Sequence, residues 1–473
     1  MGTKIQISVL PRPKPKQALH QQYLPAAKND EELLSDPGGG LYPGEPEACR
    51  RSLRPFLRNL AFLGLLLIVF RVYRIEERAY QGRAFQTLAT LAFLALPLHY
   101  ITPYRYKKPL FVAVSIAGLF WVFGGYLSAI VLAFATVLIG VCFLPIRWAG
   151  KAGLIACFAA ACAIVRPGLL GAAIPDGTWP IVASMFMFRM MIYLYELKHA
   201  RKPESLVDTL SYFFLLPNYC FMHFPVVDYR TMQRGYFADD VHKMQRRGLD
   251  MMFRGTIHLL CYRLVYHELL IPASSVHNPL TLGAYLVCNY MLYLQVSGQF
   301  HMAAGILHLF GFQLPSTHHH YLLATGFTDY WRRINIYWKD FMVRLFFNPV
   351  VFRLKRWPQP LALAVATVIV FLATWFLHAY QWYWLRGSWG FTVPDALFWG
   401  ILGALVLVNV QLDARRSRAQ GSAKGASDPV RSFAVRSLKV AGTFTTVALL
   451  WSLWYSPSLT AWLEMIHRGL YGS

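Results

Sequence analysis

Three long runs without a single Lys, Arg, Asp or Glu constrain this chain more than any other feature. Pro109 to Ile146 covers 38 residues without one, Leu269 to Thr328 covers 60, and Trp357 to Leu385 adds 29. A bilayer core takes about 20 apolar residues per helix, so the first run alone accommodates a hairpin of two spans. A single soluble core needs no such stretches. Of the 473 residues, 56% are hydrophobic and 15% charged, against roughly a quarter charged in soluble domains. The sequence therefore predicts an all-α, polytopic transmembrane helical bundle in the cell membrane.

Candidate spans fall near 55–73, 85–101, 108–124, 127–146, 151–166, 179–196, 252–272, 280–312, 360–385, 394–411 and 438–456, about eleven in all. The stretch 280–312 suits one tilted helix or two shorter ones broken at Ser297-Gly298. Loop charge orients the bundle. With the N-terminus inside, the inside loops hold Arg105, Lys107 and Lys108, then Arg147 and Lys151, then Lys198, Arg201 and Lys202, and the basic stretches 229–251, 329–356 and 412–437. The opposite loops near 167–178, 272–279 and 386–393 carry little positive charge, and 71–84 is the exception. Cytoplasmic loops concentrate Lys and Arg, so a cytoplasmic N-terminus is expected.

The net charge of +23 sits in those same loops. No basic stripe with interleaved stacking aromatics stands outside the spans, so membrane lipids are expected partners and nucleic acid is not. The seven cysteines form no CxxC and no zinc-ligand spacing, and all but Cys49 lie in or beside apolar segments, which leaves most of them as packing residues and predicts no metal site. Residues 1–50 are rich in Pro, Gly and charge, with no apolar core after the first basic residues, unlike a signal peptide. Four regions are expected: a disordered cytosolic tail (1–54), N-terminal membrane helices (55–208), a core (209–385) and C-terminal membrane helices (386–473). Inside the core, 209–227 is interrupted by Pro217-Asn218 and Pro225, and 320–357 is aromatic yet studded with Arg332, Arg333, Lys339, Asp340 and Arg344. Broken polar segments survive at membrane depth only against protein or water, so both predict re-entrant or interfacial helices.

His378 lies within the charge-free run 357–385, where an ionisable side chain is costly and marks a functional candidate. At helical spacing Trp375 and Trp382 share its face, with Thr374 and Gln381 beside them. Imidazole titrates near neutrality and can take a proton from an attacking hydroxyl. A neutral histidine bonded to a neighbouring helix fits the composition equally well. Asn335, read on a helix, shares a face with Trp331 and Trp338, and its amide can donate to a carbonyl oxygen. Arg332 and Arg333 fit either donor phosphates or lipid headgroups. His318, His319 and His320 are adjacent and point different ways on a helix, so a solvated loop is expected rather than a metal site. His301 and His308 lie two turns apart, where packing is the favoured reading and a cavity wall the alternative. The run Met185 to Met191 reads as core or lipid-facing.

In order along the chain, Ser297-Gly298-Gln299-Phe300-His301-Met302-Ala303 resembles the SGYSDMA segment of the membrane-bound O-acyltransferase family. Leu309-Phe310-Gly311-Phe312 with Pro315 resembles its LFGFxxP, and Asp329-Tyr330-Trp331-Arg332-Arg333 its DFWRRWHIS. Thr374-Trp375-Phe376-Leu377-His378 stands where the family has its invariant histidine. Upstream, Leu216-Pro217 and Pro225-Val226-Val227-Asp228-Tyr229-Arg230 resemble its FP…GPIxRY. The match runs over about 209–385, with Asn335 and His378 43 positions apart. The departures are Asn335, where polysaccharide-acylating bacterial members carry histidine and lipid-acylating ones asparagine, His301 for an aspartate, and Ile334 for a tryptophan.

The resemblance implies a helical bundle around a central tunnel, closest to the bacterial polysaccharide-acylating branch. It implies transfer of a short acyl group from a thioester, expected to be acyl-CoA, to a hydroxyl on an envelope polysaccharide, a lipid or a carrier protein. His378 would act as base and Asn335 would assist. Trp331, Arg332, Arg333, Trp338, Trp375 and His301 would contact substrate. No tightly bound cofactor is implied. The absence of an esterase-like domain leaves room for a separate extracytoplasmic acyltransferase partner. The rival reading is a channel, transporter or scaffold; transporters often show internal repeats, and none is evident between the two halves.

Overall fold

In hydrocarbon a backbone N–H has no water to bond, so an apolar stretch must satisfy its own polar groups as helix. The computed structural model describes residues 44–73, 84–166, 174–199, 205–219, 227–419 and 429–472. Most of the expected N-terminal tail, Arg201, Lys202, Cys220, Pro225 and most of the loop 71–84 lie outside them. Of the described residues 82% are helical and none lies in a strand; there is only an isolated antiparallel bridge between Tyr236 and Phe312.

In chain order the helices are α1 (Leu53–Tyr73), α2 (Ala84–Ile101), α3 (Tyr104–Phe143), α4 (Trp148–Val165), α5 (Thr178–Ile181) and α6 (Phe188–Leu197), the last two joined by a π-helical turn, Val182–Met187. Next come α7 (Leu206–Phe213), α8 (Tyr229–Arg234), α9 (Val241–Leu264), α10 (Pro279–Met291) and α11 (Leu294–Leu309). Three short helices follow, α12 (Phe327–Ile334), α13 (Ile336–Met342) and α14 (Asn348–Arg353). The chain closes with α15 (Gln359–Arg386), α16 (Val393–Ala419), α17 (Pro429–Trp454) and α18 (Leu459–Tyr471).

Seven of these helices are long and apolar enough to cross a membrane: α1 to α4, α15, and the segments Val393–Asp413 and Phe433–Trp454 of α16 and α17. The other expected spans take different forms, for identifiable reasons. Residues 108–124 and 127–146 fall in the single 40-residue run α3, which breaks at Gly124 (φ 73°, ψ 178°). Nine residues of straight helix cover about 13 Å, yet Ser128 Oγ donates to Leu119 O at 3.1 Å. The run is therefore a hairpin, turned at a backbone conformation that suits glycine. The stretch 179–196 is split by the π-helical turn. The stretch 252–272 takes in the end of α9 and the π-helical turn Val265–Leu269, and α9 itself carries Lys243, Arg246, Arg247, Asp250 and Arg254.

The stretch 280–312 does break, but at Leu292-Tyr293 and not at Ser297-Gly298. Gly298 has another task. A Cβ on Gly298 would stand 3.1 Å from Gly255 O, and one on Gly305 would stand 2.7 Å from Gly248 O; the reciprocal contacts are 2.9 and 2.7 Å. These four glycines set α9 and α11 backbone to backbone in antiparallel, at the centre of the bundle. Apolar burial gains little against lipid tails, so close approach through small residues holds such helix pairs.

Candidate functional site

The break between α12 and α13 is built around Asn335, and it differs from the helical face expected for Trp331, Asn335 and Trp338. Asn335 is extended (φ −145°, ψ 85°) and its Oδ1 accepts the Trp338 N–H at 3.1 Å, capping α13. An asparagine that can satisfy a helix-start N–H competes well with continued helix. Neighbouring bonds pin the break from both sides. Ile336 N–H donates to Thr317 O and His319 N–H to Arg333 O, both at 3.0 Å, and the Tyr293 hydroxyl donates to Ile334 O at 3.0 Å. With that proton committed, His318 donates from Nε2 to the Tyr293 oxygen (2.9 Å), leaving Nδ1 to accept from Thr317 Oγ1 (3.1 Å).

His318 is thus buried within the protein, contrary to the solvated loop expected for the three histidines; His319 and His320 are the exposed pair. It is held there by the loop's pairing with residues 333–336, which adjacency in sequence does not reveal. His301 stacks on it, with ring centroids 5.6 Å apart, and bonds Ser297 O through Nδ1 at 2.6 Å. His258 approaches His301 from the facing helix at 5.2 Å and bonds Ser297 Oγ at 2.9 Å. His308 has a packing task, its Nε2 bonded to Leu314.

α15 carries the other half of the site. Trp331 packs on Phe371 (centroids 4.7 Å) and Trp338 on His378 (5.1 Å, edge-on). The second contact lies two turns beyond the first on both segments, so Asn335 sits between two anchors on one helix. The backbone N–H that Asn335 caps belongs to the residue whose indole faces His378. His378 Nδ1 donates to Thr374 O at 2.9 Å. A carbonyl can only accept, so the proton is on Nδ1 and the basic lone pair on Nε2.

Two further indoles stand beside His378: Trp399 at 4.7 Å and Trp454 at 6.3 Å. Both lie in the expected C-terminal region 386–473, outside the core assigned from sequence. Asp395, buried at 5% exposure, locks this cage. Its Oδ1 accepts from Trp454 Nε1 at 2.7 Å and its Oδ2 from Trp375 Nε1. The signal for Asp395 was present, a carboxylate in the first turn of an apolar helix. Trp399 and Trp454 had none, being aromatics among many. Trp375 reaches Asp395, and Trp382 is covered by the Arg386 guanidinium at 3.8 Å and by Gly390. Neither ring joins the three indoles around the imidazole, because shared spacing on one helix does not fix which neighbour a long side chain meets.

Thr374 Oγ1 and Trp338 Nε1 are buried without a hydrogen-bond partner. Each such group costs about 1–3 kcal/mol until something bonds it. Arg332 is exposed, and Arg333 pairs with Asp329 at 2.6 Å. Burial raises the Asp329 carboxyl, but the Thr325 N–H and Arg333 outweigh it and hold it below the usual carboxylate range. Asp228, in the loop before α8, follows the same pattern: burial opposes, and Thr231 and Arg344 prevail to keep it low. Among the described residues no group of His, Cys, Asp and Glu could hold a metal ion. No protein-family model matches the chain, and no curated protein matches it.

Proposed function

We propose that this chain is a membrane-embedded O-acyltransferase whose reacting centre lies between His378 and Asn335. One observation carries the reading: an imidazole with its lone pair on Nε2, enclosed by three indoles, is coupled through Trp338 to an asparagine held in a non-helical break. The cap uses Asn335 Oδ1, so the two Nδ2 protons remain to bind a thioester carbonyl. The unpartnered Trp338 Nε1 and Thr374 Oγ1 offer further polar contacts for a ligand.

In the reaction, a hydroxyl oxygen of the acceptor attacks the thioester carbonyl carbon and its proton passes to His378 Nε2. The C–O bond forms, the C–S bond breaks, and the thiolate leaves, taking up the proton. Donors already aimed at the developing oxyanion lower the barrier, and the indoles exclude water that would hydrolyse the donor. The donor is a short acyl thioester such as acetyl-CoA. The acceptor is a hydroxyl on an envelope polysaccharide, a lipid or a carrier protein, reached through a central tunnel and passed on by a separate extracytoplasmic partner. In this reading about eleven segments, some of them broken, cross or enter the bilayer, and the N-terminus is cytoplasmic.

The test is transfer of labelled acetyl from acetyl-CoA to envelope material, in membranes containing the full chain or its His378→Ala variant. Loss of transfer with the folded variant at equal abundance is expected. Undiminished transfer ends the assignment.

A further inference from the structure

α4 is the most peripheral of the membrane-crossing helices, with only 11% of its apolar window buried inside the protein. Even so, its inner face does not close on its neighbours. Between α3, α4, α6, the π-helical turn and α15 lies a cavity of about 240 Å³, whose lining includes Ile155, Ala156, Ala159, Met190, Leu194 and Trp384. The lining is almost wholly apolar. Alanines on α4 leave the room, and the extra residue per turn in Val182–Met187 re-aims the side chains that follow. On α15 the lining residues Tyr380 and Trp384 stand on a different face from His378, so the slot is separate from the site above.

The cytoplasmic end of the slot has the opposite character. Trp148 Nε1 donates to Leu194 O at 2.7 Å, tying the start of α4 to the end of α6. That bond sets Lys151 and Lys198 at one level, with the Lys198 ammonium 4.9 Å from the Trp148 ring. Lys151 and Ile155, like Leu194 and Lys198, are one turn apart on their helices, so each lysine stands above a lining residue. Arg147 adds a third cation. No ion pair among the described residues engages Arg147, Lys151 or Lys198; Lys151 Nζ donates one of its three protons to Cys142 O at 2.6 Å, at the end of α3, and keeps two for an anion, and the sequence has no Asp or Glu from Ala84 to Pro175.

We infer that this slot binds one anionic phospholipid, its phosphate between Lys151 and Lys198 and one acyl chain in the cavity. An apolar slot opening beside a peripheral membrane helix meets acyl chains first. Unneutralised lysines beside an interfacial tryptophan are what an anionic headgroup recognises. At about 30 Å³ for each water-sized group, the cavity takes a chain segment of roughly eight such groups.

The full chain, purified in detergent, is offered dioleoyl-phosphatidylglycerol or dioleoyl-phosphatidylcholine, and retained lipid is read by native mass spectrometry. Two lysines correspond to a preference for the anionic lipid on the order of 30-fold. Lys151→Gln with Lys198→Gln should bring that ratio toward one. Ala156→Phe, which fills the slot, should lower retention of both lipids. Lipid-free melting of each variant checks folding, and Ala152→Leu replaces Ala156→Phe if that variant melts early. An unchanged ratio in the lysine variant overturns the inference. So does wild-type retention in the filled-slot variant, or competition by free glycerol phosphate as effective as competition by the whole lipid. None of these outcomes depends on acyl transfer.

Discussion

Replacing Asp395 by Ala removes one carboxylate and strands two indole N–H groups, those of Trp375 and Trp454, on different helices. A hydrogen bond to a charged acceptor contributes about 1.5–3 kcal/mol, and a buried donor left unpaired costs about 1–3 kcal/mol. Relaxation lets one indole find another acceptor, so a net loss of about 2–4 kcal/mol is the working figure. For a chain larger than 250 residues, each kcal/mol moves the midpoint by no more than about 2–4 °C, so melting should fall by several degrees. Tryptophan fluorescence during thermal denaturation in detergent reads this directly, since the affected rings are the reporters. Trp454→Phe keeps most of the ring and loses one donor, and should cost less. The double variant should cost scarcely more than Asp395→Ala alone, a coupling of about 1–3 kcal/mol. Wild-type melting of Asp395→Ala, or fully additive losses, would refute the idea that this carboxylate ties α15, α16 and α17 around His378.

Gly305→Ala should prevent recovery of monodisperse protein, because a Cβ there stands 2.5 Å from Met252 Cγ and 2.7 Å from Gly248 O; size-exclusion profiles check it. Tyr293→Phe frees Ile334 O and leaves the buried His318 Nε2–H without its acceptor, at about 1–3 kcal/mol. In a transfer assay it should lower kcat through a loosened Asn335 break. The low-lying carboxyls of Asp329 and Asp228 contribute stability that is complete above their unfolded values, about 3.9, and is lost as pH falls through their folded ones. Melting points from pH 7 to pH 3 should therefore decline below about pH 4. Asp329→Asn should melt lower than the parent at pH 7 and lose part of that acid dependence.

Helical class and the long apolar spans were legible because charge-free runs have few structural outcomes. The span count was less so. Gly124 turns a helix into a hairpin and Gly248, Gly255, Gly298 and Gly305 bring two backbones together, yet in sequence both kinds are simply glycine. Asn335 was legible as a candidate and misread as a helical residue, since the break it caps is pinned by Thr317 and Tyr293, which come from other parts of the chain. His378 stood out as the ionisable group in an apolar run. Its neighbours Trp399 and Trp454 did not, because contact between helices distant in sequence leaves no local pattern.

An amide and an imidazole that act on one substrate as one device are coupled in rate, and a double-mutant cycle on acetyl transfer measures that coupling. Rates are compared for the full chain, Asn335→Ala, His378→Ala and the pair, with melting points confirming each fold. Groups that work as a unit are strongly non-additive, so the pair should be no slower than His378→Ala alone. Losses that multiply independently, or a His378→Ala protein that transfers acetyl at the parental rate, would contradict the account.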